Sequence, residues 1–245
     1  METKKISFLT KIYCYACRLA IVVGMKVMFR PKIRYENKKI DKEARKKPSI
    51  IIANHTSLYD ALFIYSIMQN HHGYILTAKD WYDKPFFGTI IAGNRTIPID
   101  RNGLDTGWIR DCKKVIDEGN SVFIFPEGHR SKTGEFEEFK SGFALLSKMT
   151  GAPIIPVYLS GNYDKFLGER KKAYIGVPME LGKPQAGMSA DYLTEEGVRF
   201  RNHMMAMRIR SNQIFATRKR HMRRNLMKIL RVSLSGKSMI QRLIH

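Results

Sequence analysis

Short apolar runs and longer amphipathic stretches alternate along the middle of the chain. The runs predict strands at residues 49–53, 74–77, 96–99, 122–125, 154–159 and 173–177, and the stretches predict helices at residues 57–69, 86–92, 106–118 and 142–149. Strands that alternate with helices predict an α/β fold, with a mostly parallel sheet and helices on both faces. Sites in such sheets form beyond the carboxyl ends of strands, so the chemistry is expected just after residues 53, 99, 125 and 159.

The first 30 residues have a different pattern. Apolar residues recur at helical spacing, and four cations (Lys4, Lys11, Arg18 and Lys26) fall within an arc of about 80° on a helix. This pattern predicts a membrane-interfacial amphipathic helix, or a helical hairpin broken near Gly24. A core helix with one solvated edge is the alternative. No uninterrupted apolar run reaches 18 residues. Residues 30–48 are polar, which predicts a surface hairpin or a linker.

The charge of the chain is concentrated at its two ends. The 43 Lys and Arg residues against 22 Asp and Glu residues give a net charge of +21. Residues 1–50 carry +10 and residues 197–245 carry +13, whereas residues 51–196 carry −2. Basic segments on either side of a nearly neutral body favour attachment to an anionic surface, either lipid or nucleic acid. The tail has almost no aromatic residues to stack on bases, so nucleic acid is not expected as a partner.

The tail from residue 197 interleaves basic and apolar residues at helical spacing. We therefore predict a basic amphipathic helix, which either binds a surface or docks on the domain. The three cysteines do not form a disulfide framework. The Cys14 and Cys17 pair lacks the further ligands of a zinc site, so we interpret both as small residues on a helix face, and no metal site is expected.

Polar residues cluster after the strand at 49–53. If Thr56 or Ser57 caps the following helix, the Asp60 side chain can lean back to His55. A carboxylate on one imidazole nitrogen fixes the tautomer and leaves the other nitrogen as a positioned base. By itself this spacing is weak, and a surface histidine beside an unrelated aspartate remains an alternative.

Further candidates follow the later strands. Arg101 comes after the strand at 96–99, and Glu127, Gly128 and Arg130 come after the strand at 122–125. Gly128 permits an unusual backbone turn, and an arginine binds phosphate with two parallel hydrogen bonds. Pro156 lies within the strand at 154–159, where it removes one ladder hydrogen bond.

In this order, these blocks resemble the glycerolipid acyltransferase superfamily, and more narrowly the bacterial 1-acyl-sn-glycerol-3-phosphate acyltransferases. The resemblance covers residues 49–160. The motif N-H-x-S-x-x-D matches residues 54–60, the segment K-x-x-x-x-x-P-x-F-G matches residues 79–88, and I-D-R matches residues 99–101. The motif F-P-E-G-T-R-S matches residues 125–131, except that His129 replaces the threonine. The motif F-K-x-G matches residues 139–142, and Ile-Pro-Val at 155–157 matches the fourth motif.

The resemblance implies a role for each candidate. His55 would be the general base and Asp60 would orient it. The acceptor phosphate would bind to four residues (Arg101, Glu127, Gly128 and Arg130), and Pro156 would line the path of the acyl donor. The donor would be acyl-CoA or acyl-carrier protein, used as a co-substrate without a cofactor, and lysophosphatidate would be the acceptor.

The sequence pattern, taken together with the resemblance, predicts a three-part organisation. A membrane-interfacial helix or hairpin would occupy residues 1–30, an acyltransferase catalytic domain residues 49–196, and a basic helical tail residues 197–245. Such a protein would be peripheral or monotopic on the cytoplasmic face of the cell membrane, bound to anionic lipid. Two alternatives remain, namely the same chemistry on glycerol 3-phosphate or a lyso-aminolipid, and a non-enzymatic membrane-binding protein that kept the fold.

Overall fold

A computed structural model describes residues 8–84, 87–100, 106–161, 170–183 and 189–243, the last of these as backbone only from residue 218. Its helices are α1 (Phe8–Phe29), α2 (Lys38–Ala44), α3 (Asp60–Ile67), α4 (Phe87–Ala92), α5 (Gly107–Asp117), α6 (Gly142–Thr150) and α7 (Ala190–Leu243). Its strands are β1 (Lys32–Tyr35), β2 (Ile50–Ala53), β3 (Gly73–Ala78), β4 (Thr96–Ile99), β5 (Ser121–Ile124), β6 (Ile154–Ser160) and β7 (Lys172–Ile175). Two short 3₁₀ helices lie at Gln69–His71 and Lys79–Trp81.

The seven strands form one sheet in the order β1-β7-β6-β2-β5-β3-β4. All neighbouring pairs are parallel except β6 and β7, so β1 and β7 run opposite to the other five strands. The predicted α/β fold with a mostly parallel sheet is therefore confirmed. Strands β2 and β5 lie at the centre and are buried along their whole length, which explains their continuous apolar sequence.

Residues 30–48 correct the sequence prediction. Instead of a surface hairpin or linker they form β1, which pairs with β7 at one edge of the sheet, and α2. The polar composition concealed the strand because an edge strand is held largely by backbone hydrogen bonds. Only Ile33 and Tyr35 on it pack against the hydrophobic core.

Helix α1 is one unbroken helix through Gly24, so the structure shows the single helix rather than the hairpin. Its inner face contributes Met25 and Phe29 to the core that also contains α3, β2, β6 and β7. The opposite face is apolar and exposed, and it consists of Leu9, Ile12, Tyr15, Leu19, Val23 and Val27. The segment Ile12–Phe29 has a mean hydropathy of 1.6 and is long and apolar enough to cross a membrane, by length and composition only.

The cations of α1 do not all lie on its exposed face. Arg18 lies towards the protein, where its Nε donates a hydrogen bond of 3.2 Å to Oδ1 of Asn94. Cys14 and Cys17 lie on the same helix as free cysteines, the first buried and the second half-buried. A helix that turns an apolar surface outward suggests, weakly, an association with a membrane.

The chain divides into two compact units, Met1–Met205 and Ala206–His245. The first unit holds the whole sheet and the start of α7, where Phe200 and Met204 are fully buried. In the second unit the backbone is helical to Leu243, and the sequence there has 11 basic residues and no acidic residue. Helix α7 runs across the predicted boundary between residues 196 and 197. The predicted three-part division stays a prediction.

Candidate active site

The end of β2 is fixed to the end of β6 by Asn54. Its Nδ2 donates to the carbonyl oxygen of Leu159 at 3.0 Å, and its Oδ1 accepts from the Leu159 N–H at 2.7 Å. This amide therefore continues the ladder between two buried strands by one step. It sets the position at which the backbone leaves the sheet, and the next residue is His55.

His55 and Asp60 lie together, as their spacing predicted. Nδ1 of the imidazole is 3.2 Å from Oδ2 of the carboxylate, and Asp60 is fully buried. The same Oδ2 atom accepts hydrogen bonds from the backbone N–H groups of Thr56 and Ser57, both at 2.7 Å. Three donors thus converge on one carboxylate oxygen, which holds the imidazole in a single orientation.

The predicted cap of α3 is wrong. Neither Thr56 nor Ser57 caps the helix, which starts at Asp60 after Tyr59 and has no side-chain cap. Asp60 instead bends back over the preceding turn and bonds its N–H groups. The carboxylate therefore reaches His55 from the first position of the helix, and not from one turn inside it.

The imidazole of His55 is fixed on a second side by Phe125. The two rings stack with centroids 4.1 Å apart and an angle of 20° between their planes. With Nδ1 directed at Asp60, Nε2 makes no hydrogen bond to any described residue, and a tenth of the side chain is exposed. Such an arrangement can accept a proton at Nε2 from a bound hydroxyl.

Glu127 is placed differently from the expected phosphate ligand. Its side chain is 1% exposed, its Oε1 accepts from the backbone N–H of His55 at 3.1 Å, and its Oε2 accepts from that of Glu137 at 3.3 Å. Burial raises the pKa of the Glu127 carboxyl, while these two hydrogen bonds oppose the rise. Glu127 therefore braces the backbone on either side of the site, and a contact with phosphate stays a prediction.

The turn after β5 places Gly128 and Arg130 directly after Glu127. Gly128 has a φ of +73°, in the left-handed region that favours glycine. Arg130 is exposed, and within the described part of the chain it has no ion-pair partner. The Ser131 N–H donates to the carbonyl oxygen of His55 at 2.8 Å, so the turn is attached directly to the histidine backbone.

His129, which replaces the threonine of the resembled motif, lies with its Nε2 against Oε2 of Glu137. The segment around Glu137 is also held from α7, because Arg201 donates to the carbonyl oxygens of Phe136 and Glu137, both at 2.9 Å. A cavity of about 400 Å³ opens here, lined by Glu127, His129, Glu137, Glu138, Phe139 and Lys140. Sequence reasoning did not assign a role to Phe125, Glu137 or Lys140, although Phe125 and Lys140 lie in matched motifs.

Two further candidates stay predictions. Arg101 lies outside the described residues. The strand before it, β4, is at the far edge of the sheet, three strands from β2 and therefore about 14 Å away. Pro156 is buried within β6 opposite Ile52, and its place on an acyl-donor path stays a prediction. Among the described residues, no group of three or more His, Cys, Asp or Glu side chains could hold a metal ion.

The site combines a His–Asp pair at the carboxyl edge of a mostly parallel sheet with a glycine turn beside it. Comparison with known proteins gives the family of the chain. The Acyltransferase family model matches residues 32–160, more than half of the chain. The chain therefore belongs to the Acyltransferase family.

Named relatives agree with this family. The 1-acyl-sn-glycerol-3-phosphate acyltransferase of Limnanthes douglasii is 35% identical over 127 residues, which are 49% of this chain and 44% of that protein. The protein of the same name from Haemophilus influenzae is 30% identical over 151 residues, 60% of this chain and 59% of that one. The chain thus spans about half the length of the curated relatives it matches.

The fold is also that of a solved structure. The 1-acyl-sn-glycerophosphate acyltransferase PlsC from Thermotoga maritima superimposes with a TM-score of 0.55 at 19% identity. The similarity covers 81% of this chain and 88% of that chain. At this identity the comparison shows the fold alone.

Proposed function

We propose that this protein transfers a fatty acyl group to the free hydroxyl of 1-acylglycerol 3-phosphate, giving phosphatidic acid. The observation that carries the proposal is the contact of 3.2 Å between His55 Nδ1 and the buried Asp60 Oδ2 at the carboxyl edge of the sheet. The names of the relatives support the choice of acceptor.

The side chains suggest how the reaction proceeds. Nδ1–H of His55 donates to Asp60, so the lone pair of Nε2 takes the proton of the acceptor hydroxyl. The resulting alkoxide oxygen attacks the thioester carbonyl of the donor and forms a tetrahedral intermediate, whose collapse breaks the C–S bond and leaves the new ester. The thiolate then leaves and takes the proton from Nε2, which regenerates the neutral imidazole. The negative charge of Asp60 stabilises the imidazolium during this sequence.

The donor is acyl-CoA or acyl-carrier protein, which acts as a co-substrate, and no cofactor is required. The acceptor is a membrane lipid, so the enzyme works at a bilayer surface. The attachment is peripheral or monotopic on the cytoplasmic face of the cell membrane, and the exposed apolar face of α1 supports its association with a membrane. The basic residues of the chain add attraction to anionic lipid, about 1 kcal/mol for each Lys or Arg near the surface.

Thiol release by the full chain tests the function. The protein is given acyl-CoA or acyl-carrier protein together with lysophosphatidate, with glycerol 3-phosphate, with a lyso-aminolipid, or with no acceptor. Rapid release only with lysophosphatidate is the expected result, and His55→Ala is the matched inactive control. Release that prefers another acceptor, or no release with any of them, would reject the proposal.

A further inference from the structure

A second cation lies at the turn that carries Arg130. A Cβ atom added to Gly128 would be 3.0 Å from both Cε and Nζ of Lys140. The end of the Lys140 side chain therefore fills the space that glycine leaves open. Gly128 has a positive φ, and its lack of a side chain leaves room for this ammonium group.

The backbone holds Lys140 at the turn even though its side chain is exposed. Its N–H donates to the carbonyl oxygen of Pro126 at 2.9 Å. The preceding residue, Phe139, is buried and packs edge-on against Phe143, with ring centroids 6.4 Å apart. The backbone position of Lys140 is thus set by a main-chain bond on one side and by a core anchor on the other.

The charges of the cavity show why this position matters. Its lining contains three carboxylates, those of Glu127, Glu137 and Glu138. Glu137 is paired with His129, and both oxygens of Glu127 accept backbone hydrogen bonds. Lys140 has no ion pair with any described residue, so its charge is available to an entering anion and offsets the carboxylates that would repel it.

The turn offers further donors to an anion. Within the part of the chain that the structure describes, the backbone N–H groups of His129 and Arg130 have no acceptor. A glycine turn with free N–H groups and nearby cations is the kind of arrangement that binds phosphate. Lys140 adds to this turn a cation that has no carboxylate partner among the described residues.

We propose that Lys140 is a specificity-determining residue that binds the phosphomonoester of the acceptor together with Arg130. This inference rests on the proposed function and adds a ligand for the acceptor's dianionic group. It separates acceptors that carry a phosphate from those that do not. It also explains why this lysine lies against Gly128.

The test compares Lys140→Ala and Lys140→Arg with Lys148→Ala, a matched control on the exposed side of α6. The KM is measured for 1-acylglycerol 3-phosphate and for phosphate-free 1-acylglycerol. For the phosphorylated acceptor, Lys140→Ala should raise KM about tenfold, because a charge-assisted contact is lost. The KM for the phosphate-free acceptor and for the donor should change less than twofold. Lys140→Arg should restore much of the loss, and the control should match wild type.

Calorimetry with glycerol 3-phosphate makes the test independent of turnover. The wild-type full chain should bind this probe about tenfold more tightly than Lys140→Ala, whether or not any acyl transfer is observed. Failure of transfer with intact, Lys140-dependent binding would reject the proposed function alone. Three results would overturn the role of Lys140. They are no binding by wild type, equal affinity of wild type and Lys140→Ala, or an equal rise in KM for both acceptors together with a lowered Tm.

Discussion

Replacing Asp60 by Asn separates the charge of this residue from its shape. The carboxylate oxygen Oδ2 receives three hydrogen bonds, from His55 Nδ1 and from the N–H groups of Thr56 and Ser57. An asparagine whose amide oxygen takes the same position keeps all three acceptor contacts. Its NH₂ group then replaces Oδ1, which has no hydrogen-bond partner among the described residues. The variant should therefore fold.

The cost of the change falls on the protonated state of His55. At 3.2 Å and an effective dielectric constant of about 20, a full imidazolium and the carboxylate attract by about 5 kcal/mol. The amide retains part of this as a neutral hydrogen bond of about 1 kcal/mol. A loss of about 3–4 kcal/mol of transition-state stabilisation corresponds to a fall in kcat of about 10²–10³-fold. The free energy of unfolding should change by no more than about 1 kcal/mol.

The assay is thiol release from the acyl donor with saturating lysophosphatidate, and thermal unfolding of the same samples. Asp117→Asn is the control, because it removes an exposed carboxylate that pairs with Lys113 on α5. The acceptor KM should stay within about threefold of wild type, since Asp60 is buried and does not touch the acceptor. If Asp60→Asn keeps more than about a tenth of wild-type kcat while folded, the charge of Asp60 does not stabilise the imidazolium and the assignment is wrong.

Three further predictions concern Arg130, Glu127 and the exposed face of α1. Arg130→Ala should raise the KM for the phosphorylated acceptor about tenfold, and Arg130→Lys should recover only part of it; steady-state kinetics with an unchanged acceptor KM would refute this. Burial raises the pKa of the Glu127 carboxyl. The stability that the neutral carboxyl contributes is therefore present below pH 4.5 and declines as the pH rises through the raised pKa. Urea unfolding across this range should show a smaller decline for Glu127→Gln, and parallel curves would contradict the assignment. Replacing Leu19 and Val23 on the exposed face of α1 by Lys should release the protein from neutral vesicles in flotation, and equal binding by the variant would exclude this face.

The central strands and the His–Asp pair could be predicted because they depend on local pattern. A strand buried on both faces, such as β5, must be apolar throughout, and that run is visible in any reading of the chain. His55 and Asp60 lie within one turn of each other, so a short loop alone brings them together. Their spacing permits the contact, whereas their catalytic roles stay predictions.

Other features could not be predicted because their partners are distant in the chain. The strand β1 is polar, and its pairing with β7, some 140 residues later, decides that it is a strand. Glu127 carries no local sign that its oxygens will bond the N–H groups of His55 and Glu137. Which face of α1 is buried is also decided by packing against α3, since both of its faces are apolar.

The sequence by itself determined the α/β class, the central strands and the polar clusters at their ends, because burial and helical periodicity act over a few residues. Only the tertiary structure decided which contacts those clusters make with one another. It placed the buried Glu127 between two backbone segments, stacked Phe125 on His55, and laid the Lys140 ammonium against Gly128. These contacts depend on chain segments meeting in space, where desolvation and hydrogen-bond geometry, not spacing along the chain, determine which groups pair.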